Sequence, residues 1–418
     1  MRLATDAGGT FTDLVAFDEA SGAIVVGKAL TTPDDPSRGV LDALRQAEAA
    51  GAAAASVRFF VHGGTTVINA ITERKGAATA LVTTQGFRDV LAIGRGNRPD
   101  LYNLHAISPP PFVPRHLRFE LRERIDASGA VRTPLDEMAL AAIADRIAAA
   151  GVAAVAIALL HAYANPAHEA AAAAFLRARL PGVAVTASHE ISRQWREYER
   201  TNTAVLSAYV QPIVARYLAN LERALRAAGI ACPLDCMQSN GGLAGFRAAE
   251  RAPLTLVESG PAGGVAGAVR VGAALGERDL LYFDVGGTTA KCSLVRDGRP
   301  VLKPDYRLEW SRRDPGYPVQ VPVVDIVEIG AGGGSIAWTD AQGRLHVGPH
   351  SAGADPGPAC YARGGTEPTV TDAKLLTGVL DPERFAGGQF RLDVDRAAAA
   401  FAPLARHLGL PPVAAADA

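Results

Sequence analysis

The pattern Asp-x-Gly-Gly-Thr occurs twice in this chain, as DAGGT at residues 6–10 and DVGGT at 284–288. Each copy lies between stretches that alternate apolar and polar residues. RLATD leads into the first copy and FTDLVAF leaves it, while LLYFD leads into the second and TAKCSLV leaves it. Alternation with period two is the mark of a half-buried strand. A Gly-Gly pair joining two such strands makes a tight hairpin and removes the Cβ atoms that would hold a ligand away from the backbone. A single copy is most simply a turn. Two copies in the same strand-turn-strand setting point to a repeated device for gripping one kind of ligand.

The ligand that suits such a turn is a polyphosphate. Backbone N–H groups of Gly8, Gly9, Gly286 and Gly287 can donate to phosphate oxygens, with the hydroxyls of Thr10, Thr12, Thr288 and Thr289 beside them. Asp6 and Asp284, at the ends of the preceding strands, are placed to act on Mg2+ (or Mn2+) carried by the phosphates. Here the glycines lead into a second strand rather than a helix, so neither the P-loop nor the dinucleotide-binding fingerprint applies. Asp13 of the first copy has Lys291 as its counterpart in the second. A lysine there either meets phosphate as a point charge or forms a salt bridge on the sheet.

Between the copies the chain alternates strands and helices. A three-strand meander occupies the first thirty residues, followed by a helix from Pro36, the strand VRFFVHGG, and a helix that Thr65 or Thr66 can cap. Continuous apolar strands such as VAAVAIALLHA, flanked by helical stretches, require a sheet covered on both faces. The stretch from Gln194 to Ala228 predicts one long helix ended by Gly229 and is the expected bridge between domains. The expected organisation is a first lobe over 1–190, a linking helix over 191–230 and a second lobe over 231–418.

Net charge is −1, without basic runs or acidic tails, which argues against nucleic acid or an anionic membrane as partner. No stretch reaches the roughly 18 uninterrupted apolar residues of a membrane span, and the N-terminus lacks an apolar leader, so a cytoplasmic location is expected. Cysteines 232, 236, 292 and 360 are too few and scattered for a disulfide framework, and reduced thiols are expected.

Candidate substrate-binding residues are Thr65, Thr66 and Asn69 at the strand-to-helix junction, where helix N–H groups face an anionic carboxylate, and Arg95, Asn97 and Asp100 in the Gly- and Pro-rich loop that follows. His62, in the same polar junction, is either a catalytic group or a structural hydrogen-bonder. Asp325 and Glu328 are candidate general-base or metal-ligand carboxylates, and Cys360 has no evident activating partner. The cluster Arg196, Glu197, Glu199 and Arg200 is expected to be a solvated or interdomain ion-pair network.

Nine ordered blocks carry a resemblance to a known family: DAGGTFTDLV, HGGTTVINAITERKGA, LVTTQGFRDVLAIGRGNRPDLYNL, REYERTNTAVLSAYV, MQSNGGL, ESGPAGGV, FDVGGTTAK, EIGAGGGSIAW and SAGADPGPACYARGGTEPTVTDA. They resemble the hydantoinase A/5-oxoprolinase family, which belongs with the actin, sugar-kinase and heat-shock-chaperone ATPases. The resemblance implies an α/β fold of two actin-like (ribonuclease H-like) lobes with mixed sheets and a nucleotide cleft. It implies ATP with Mg2+ (or Mn2+) as cofactors, and a nucleotide-contacting role for the glycine loop Gly330, Gly332, Gly333 and Gly334. The implied chemistry is ATP-dependent opening of a five-membered cyclic amide, 5-oxoproline or an N-substituted hydantoin, together with a hydantoinase B-type partner subunit. The alternatives are an ATP-dependent ketone carboxylase subunit and a nucleotide-binding module without chemistry of its own. Related chains continue past the point that corresponds to residue 418, so the second lobe is expected to be incomplete within this sequence.

Overall fold

A computed structural model describes the chain except Thr10, Pro33, Asn97, Arg98, Pro99, Thr288, Arg312, Ala354 and Gln389. The described chain forms two compact units. The first comprises Met1–Gly263 and Leu302–Val324, and the second Gly264–Val301 and Asp325–Ala418.

The first unit opens with the expected meander, β1 (Arg2–Ala7), β2 (Phe11–Phe17) and β3 (Ile24–Leu30), paired antiparallel in sequence order. Side chains alternate as the sequence pattern requires, so that Leu3, Thr5 and Ala7 are buried while Arg2, Ala4 and Asp6 face outward. Helix α1 (Pro36–Ala49) starts where Asp35 accepts from the Ser37 N–H and Pro36 supplies a preset φ. Its apolar stripe of Val40, Ala43, Leu44 and Ala47 packs in one core with Leu3, Leu14, Ala16 and Phe60. Strand β4 (Phe59–Gly64) lies parallel to β1 and leads into helix α2 (Thr66–Thr72). Strands Leu234–Met237 and Leu243–Gly245 complete a mixed six-stranded sheet beyond β4.

A second sheet of this unit is wholly parallel, with order Ala184–Ala187, Ala154–Ala158, β5 (Thr79–Thr84), β6 (Arg118–Leu121). Both faces are covered, as continuous apolar strands demand. Leu140, Ile143, Ala172 and Leu176 cover one face, and Ala204, Val205 and Ala208 cover the other. The last three belong to the long helix Glu197–Ala227, which Gly229 follows at φ +94°. Every residue from Glu199 to Val210 in that helix is buried, so it is a core helix of the first unit, and residues 191–230 all fall within that unit. The segment Leu302–Val324 also belongs there: Leu308, Tyr317, Val319, Val321 and Val323 join the core of the six-stranded sheet.

The second unit carries strands Leu280–Val285, Ala290–Arg296 and Arg299–Pro300 in antiparallel order, with Ile326–Ile329 also paired to Ala290–Arg296. A hairpin of Ser335–Thr339 and Leu345–Ser351 and helices Val370–Leu376, Val394–Leu408 and Pro412–Asp417 complete it. The chain thus has the expected α/β class, with mixed sheets flanked by helices. Among the described residues no helix is long and apolar enough to cross a membrane.

Candidate functional site: two glycine hairpins

The two Asp-x-Gly-Gly-Thr segments form the same local structure. In the first, Asp6 stands opposite Asp13 and the Gly8 N–H donates to the Phe11 carbonyl at 3.0 Å. In the second, Asp284 stands opposite Lys291 and the Gly286 N–H donates to the Thr289 carbonyl at 2.9 Å. Register and turn bond coincide at the repeat offset. Thr10 and Thr288 lie outside the described residues, as does Asn97.

Each turn is braced by a different second loop. Around the first, the Thr31 hydroxyl donates to the Gly8 carbonyl at 2.8 Å and lies 3.1 Å from the Thr12 hydroxyl. The Thr65 N–H donates to the Ala7 carbonyl at 3.0 Å, and Asn69 donates to the Thr65 hydroxyl at 3.1 Å. Ser259, at the start of helix Ser259–Leu275, accepts from the Gly64 N–H at 3.1 Å and donates to the Gly64 carbonyl at 3.0 Å. The Asp6 carboxylate packs against the glycines of both neighbours. A Cβ on Gly260 would stand 2.8 Å from its Oδ1, and one on Gly63 3.2 Å from the same atom. An acidic group beside the first turn of a 17-residue helix lies at its positive dipole end. Ser259 and Gly260 were not among the sequence candidates, although they lie in the quoted block ESGPAGGV.

Around the second turn, the Gly333 N–H donates to the Gly286 carbonyl at 2.9 Å and the Gly334 N–H to the Gly287 carbonyl at 2.5 Å. The loop Gly330–Gly334 is closed on itself by Ser335, whose hydroxyl accepts from the Gly332 N–H at 2.9 Å. Thr371 adds a second tie, donating from both its N–H and its hydroxyl to the Gly333 carbonyl. The two glycine-rich segments therefore form one backbone surface. A Cβ at Gly333 would come within 2.8 Å of the Thr371 hydroxyl, and at Gly334 within 2.7 Å of the Ser351 hydroxyl.

His62 is buried beneath the first hairpin. Its Nδ1 is 2.8 Å from the Thr5 hydroxyl and its Nε2 2.7 Å from the Tyr217 hydroxyl. Burial lowers its pKa to about 4, so the ring is neutral at pH 7. A general base at this position would have to give up one of those two hydroxyls. A small pocket of about 20 Å³, room for one water, is lined by His62, Thr66, Tyr217 and Ser259.

The charged rows on the two sheets differ. Across the first, Asp13 is held by Lys28 at 2.5 Å. Across the second, Lys291 lies between Asp284 on one strand and Glu328 on the other, with its Nζ 3.8 Å from the Glu328 Oε1. The described residues contain no cluster of three or more His, Cys, Asp or Glu side chains able to hold a metal ion. Mg2+ is, however, commonly held by one or two carboxylates plus substrate phosphates. Asp6 and Asp284, each at the end of the strand that enters its turn, are the carboxylates placed for such use, while Asp13 is already held by Lys28.

Arg95 and Asp100 stand apart from this group. Arg95 donates to both Glu199 oxygens, at 2.8 and 2.6 Å, and no described hydrogen bond or ion pair joins Arg95 or Asp100 to His62, Thr65 or Asn69. Of the cluster expected to be a solvated or interdomain network, Glu199 and Arg200 are buried, Glu197 is half-buried and Arg196 is exposed. Arg200 is fully enclosed, donating to Ser188, Glu197 and, at 2.7 Å, to the Leu159 carbonyl. Glu169 below it accepts from the N–H groups of Leu159 and His189 and from Ser188. A buried charge needs such partners, and it gets them from within the first unit. Cys360 is buried and its thiol pKa is raised by that burial, which leaves it a poor nucleophile. All four cysteines are free thiols.

A family model described as Hydantoinase/oxoprolinase matches residues 200–418, and one described as Hydantoinase/oxoprolinase N-terminal region matches residues 2–180. Caprolactamase subunit alpha of Pseudomonas jessenii is 40% identical over 400 residues, covering 94% of this chain and 56% of that protein. The acetone carboxylase beta subunit of Xanthobacter autotrophicus is 32% identical, covering 98% and 58%. The 5-oxoprolinase of Saccharomyces cerevisiae is 32% identical, covering 92% and 32%. Among solved structures, the ATP-dependent caprolactamase from Pseudomonas jessenii and a nucleotide-free acetone carboxylase each superpose with a TM-score of 0.82, at 37% and 30% identity. Both cover 100% of this chain and 60% of theirs. The chain thus spans 32–58% of the length of these curated relatives.

Proposed function

The chain belongs to the hydantoinase/oxoprolinase family, and on that basis we propose that it is the ATP-using part of an enzyme that opens a five-membered cyclic amide, 5-oxoproline or an N-substituted hydantoin. The observation that carries the reading is the pair of hairpins with one register and one turn bond, each braced by a second loop. Relatives named as a 5-oxoprolinase and a caprolactamase support cyclic amides as the substrate class.

An unstrained lactam carbonyl is a weak electrophile, so the γ-phosphoryl is transferred to its oxygen and ADP leaves. Water then adds at the activated carbon, the C–N bond breaks as the nitrogen takes a proton, and a second water releases phosphate. Such transfer depends mainly on positioning and charge neutralisation. In this chain Gly9 and Gly287 are the glycines offered to phosphate, because the expected Gly8 and Gly286 N–H groups are taken by the turn bonds to Phe11 and Thr289 and the expected Thr12 hydroxyl is buried beside Thr31. Thr289 stands beside the second turn and the loop Gly330–Gly334 extends it. Asp6 and Asp284 would hold Mg2+ (or Mn2+) carried by the phosphates, and the ion would supply charge neutralisation there. Thr65, Thr66 and Asn69 stand beside the first turn as candidates for the amide substrate. Relatives named as subunits support a hydantoinase B-type partner in the working enzyme.

The likeness to acetone carboxylase at equal TM-score supports a second reading, an ATP-dependent ketone carboxylase subunit. Phosphate release with a B-type subunit, assayed against 5-oxoproline, hydantoins, caprolactam, and acetone plus bicarbonate, separates the two. Turnover with a cyclic amide is expected; turnover with ketone and bicarbonate alone would replace the first reading by the second. ATP binding with no turnover on any of them would leave a nucleotide-binding module.

A further inference from the structure

The helix that meets Asp6 is entered through a strained residue. Seven described non-glycine residues have φ in the left-handed region, and of these Glu258 alone is buried, with φ +55° and 6% exposure. For a residue with a Cβ this conformation costs energy, and it persists only where the surroundings hold it. Val257 before it is fully enclosed in the core of the six-stranded sheet. Ser259 after it is tied to Gly64, accepting from its N–H at 3.1 Å and donating to its carbonyl at 3.0 Å. The Glu258 carbonyl accepts from the Ala262 N–H at 3.0 Å and so heads the helix. Its carboxylate accepts at 3.2 Å from the hydroxyl of Tyr306, on the segment Leu302–Val324 that returns to the first unit.

We propose that Glu258 is a positioning residue for the Asp6 carboxylate: held by Tyr306, it keeps the left-handed turn that sets Ser259 against Gly64 and Gly260 against Asp6. The proposal rests on the reading that the Asp6 hairpin binds Mg-ATP. A residue that heads a helix is ordinarily extended, which would send the chain from Val257 in another direction. Gly260 follows only two residues on, where a Cβ would stand 2.8 Å from the Asp6 Oδ1, so a small relaxation of the turn moves the helix start relative to the carboxylate. Small displacements of a positioned group weaken its action steeply. Glycine would adopt the turn at 258 without strain. A glutamate there is strained but brings a side chain that Tyr306 can hold.

Calorimetric titration with ATP over a series of Mg2+ concentrations and in excess chelator tests this, at a temperature where circular dichroism shows parent and variants folded. Glu258→Gly allows the turn but cannot hold it, and Tyr306→Phe removes the same hydrogen bond from the other side. Each is expected to raise the Mg2+ midpoint and weaken Mg-ATP binding roughly three- to tenfold, as loss of one hydrogen bond should, while affinity in chelator stays as in the parent. Glu258→Gln retains an oxygen that accepts from Tyr306 and should return the midpoint to the parent's. A merely structural residue would lower the melting temperature and leave the midpoint of the folded protein where it was, and that result in both Glu258→Gly and Tyr306→Phe overturns the proposal. It is overturned as well if Glu258→Gln shifts the midpoint as far as Glu258→Gly, since charge rather than the held turn would then be what counts. Should Glu258→Gly not fold, Tyr306→Phe decides alone. Failure of the parent chain to bind ATP under any condition would instead remove the nucleotide reading itself, a result distinguishable from unchanged variants of a binding-competent parent.

Discussion

The β1–β2 hairpin and its counterpart at Leu280–Arg296 share a backbone and differ in almost everything around it. β1 lies inside a six-stranded sheet, with β4 on its far side, whereas Leu280–Val285 is an edge strand among the described residues. The inward face of the first hairpin, Leu3, Leu14 and Ala16, is no more than 1% exposed and is covered by α1. At the equivalent positions Leu281 is 64% and Leu294 45% exposed, and Val327 and Ile329 on the neighbouring strand are exposed with them. The same turn with the same bond therefore forms whether the face that carries Leu3 or Leu281 is covered by a helix, as in the first copy, or exposed, as in the second, where helix Ser259–Leu275 meets Leu280 and Tyr282 instead. Its geometry is specified locally, by the glycine pair and the register that alternation imposes, and packing adds stability rather than shape.

The largest expected effect follows from a matched pair. Leu3 and Leu281 are the same residue at the same place in the repeat, one buried and one exposed. Leu3→Ala should destabilise the first unit by about 2–5 kcal/mol through lost transfer energy and a residual cavity. Leu281→Ala should cost no more than about 0.5 kcal/mol, the usual range for an exposed site. Urea unfolding of both variants measures the difference. Equal costs would mean that the Leu281 face is covered in solution and that the two hairpins are packed alike.

A smaller effect depends on pH and belongs to the first hairpin, where His62 is buried between Thr5 and Tyr217. Its pKa falls from the usual 6.5 to about 4 through burial. Below pH 6.5 the unfolded chain takes up a proton that the folded chain refuses, so stability is intact above 6.5 and declines as pH falls towards 4. Over that interval a single such histidine contributes a loss of about 3 kcal/mol. His62→Gln should flatten the dependence of the urea midpoint between pH 6.5 and 4, although its stability at pH 7 is lower. A variant with the parent's slope would show that other groups carry the acid sensitivity.

Much of this was legible in the sequence because it is local. Alternation placed β1, β2 and β3, the Asp-Pro-Ser sequence at 35–37 placed the start of α1, and a continuous apolar run placed the covered strand Ala154–Ala158. What escaped was contact at long range. Tyr217 reaches His62 across 155 positions and Ser259 reaches Gly64 across 195, and no periodicity announces either. The return of Leu302–Val324 to the first unit was hidden for the same reason. The charged start of the long helix misled differently. Charge density on a helix ordinarily marks a solvated face, but Arg200 and Glu199 are enclosed and partnered inside the unit by Glu169, Ser188, Glu197, the Leu159 carbonyl and Arg95, with only the Arg200 Nε left unbonded among their described contacts.

The smallest expected effect isolates the Asp6 carboxylate from the stability of its surroundings. Gly260 lies in the first turn of helix Ser259–Leu275, where a Cβ would stand 2.8 Å from the Asp6 Oδ1 and 3.1 Å from its Oδ2. The obstructing atoms are the end of a short side chain, so Gly260→Ala should displace the carboxylate rather than the helix. Alanine is also a better helix former than glycine by up to about 1 kcal/mol. Stability and ligand affinity should therefore move in opposite directions, with melting temperature unchanged or raised and Mg-ATP affinity lowered by roughly tenfold, the equivalent of about 1.4 kcal/mol. Gly267→Ala in the same helix, where a Cβ meets nothing within 4 Å, gains the helix propensity without touching Asp6 and should leave affinity alone. If both variants bind Mg-ATP as the parent does, the position of the Asp6 carboxylate against Gly260 has no part in holding the nucleotide, and the asymmetry between the hairpins reduces to their packing.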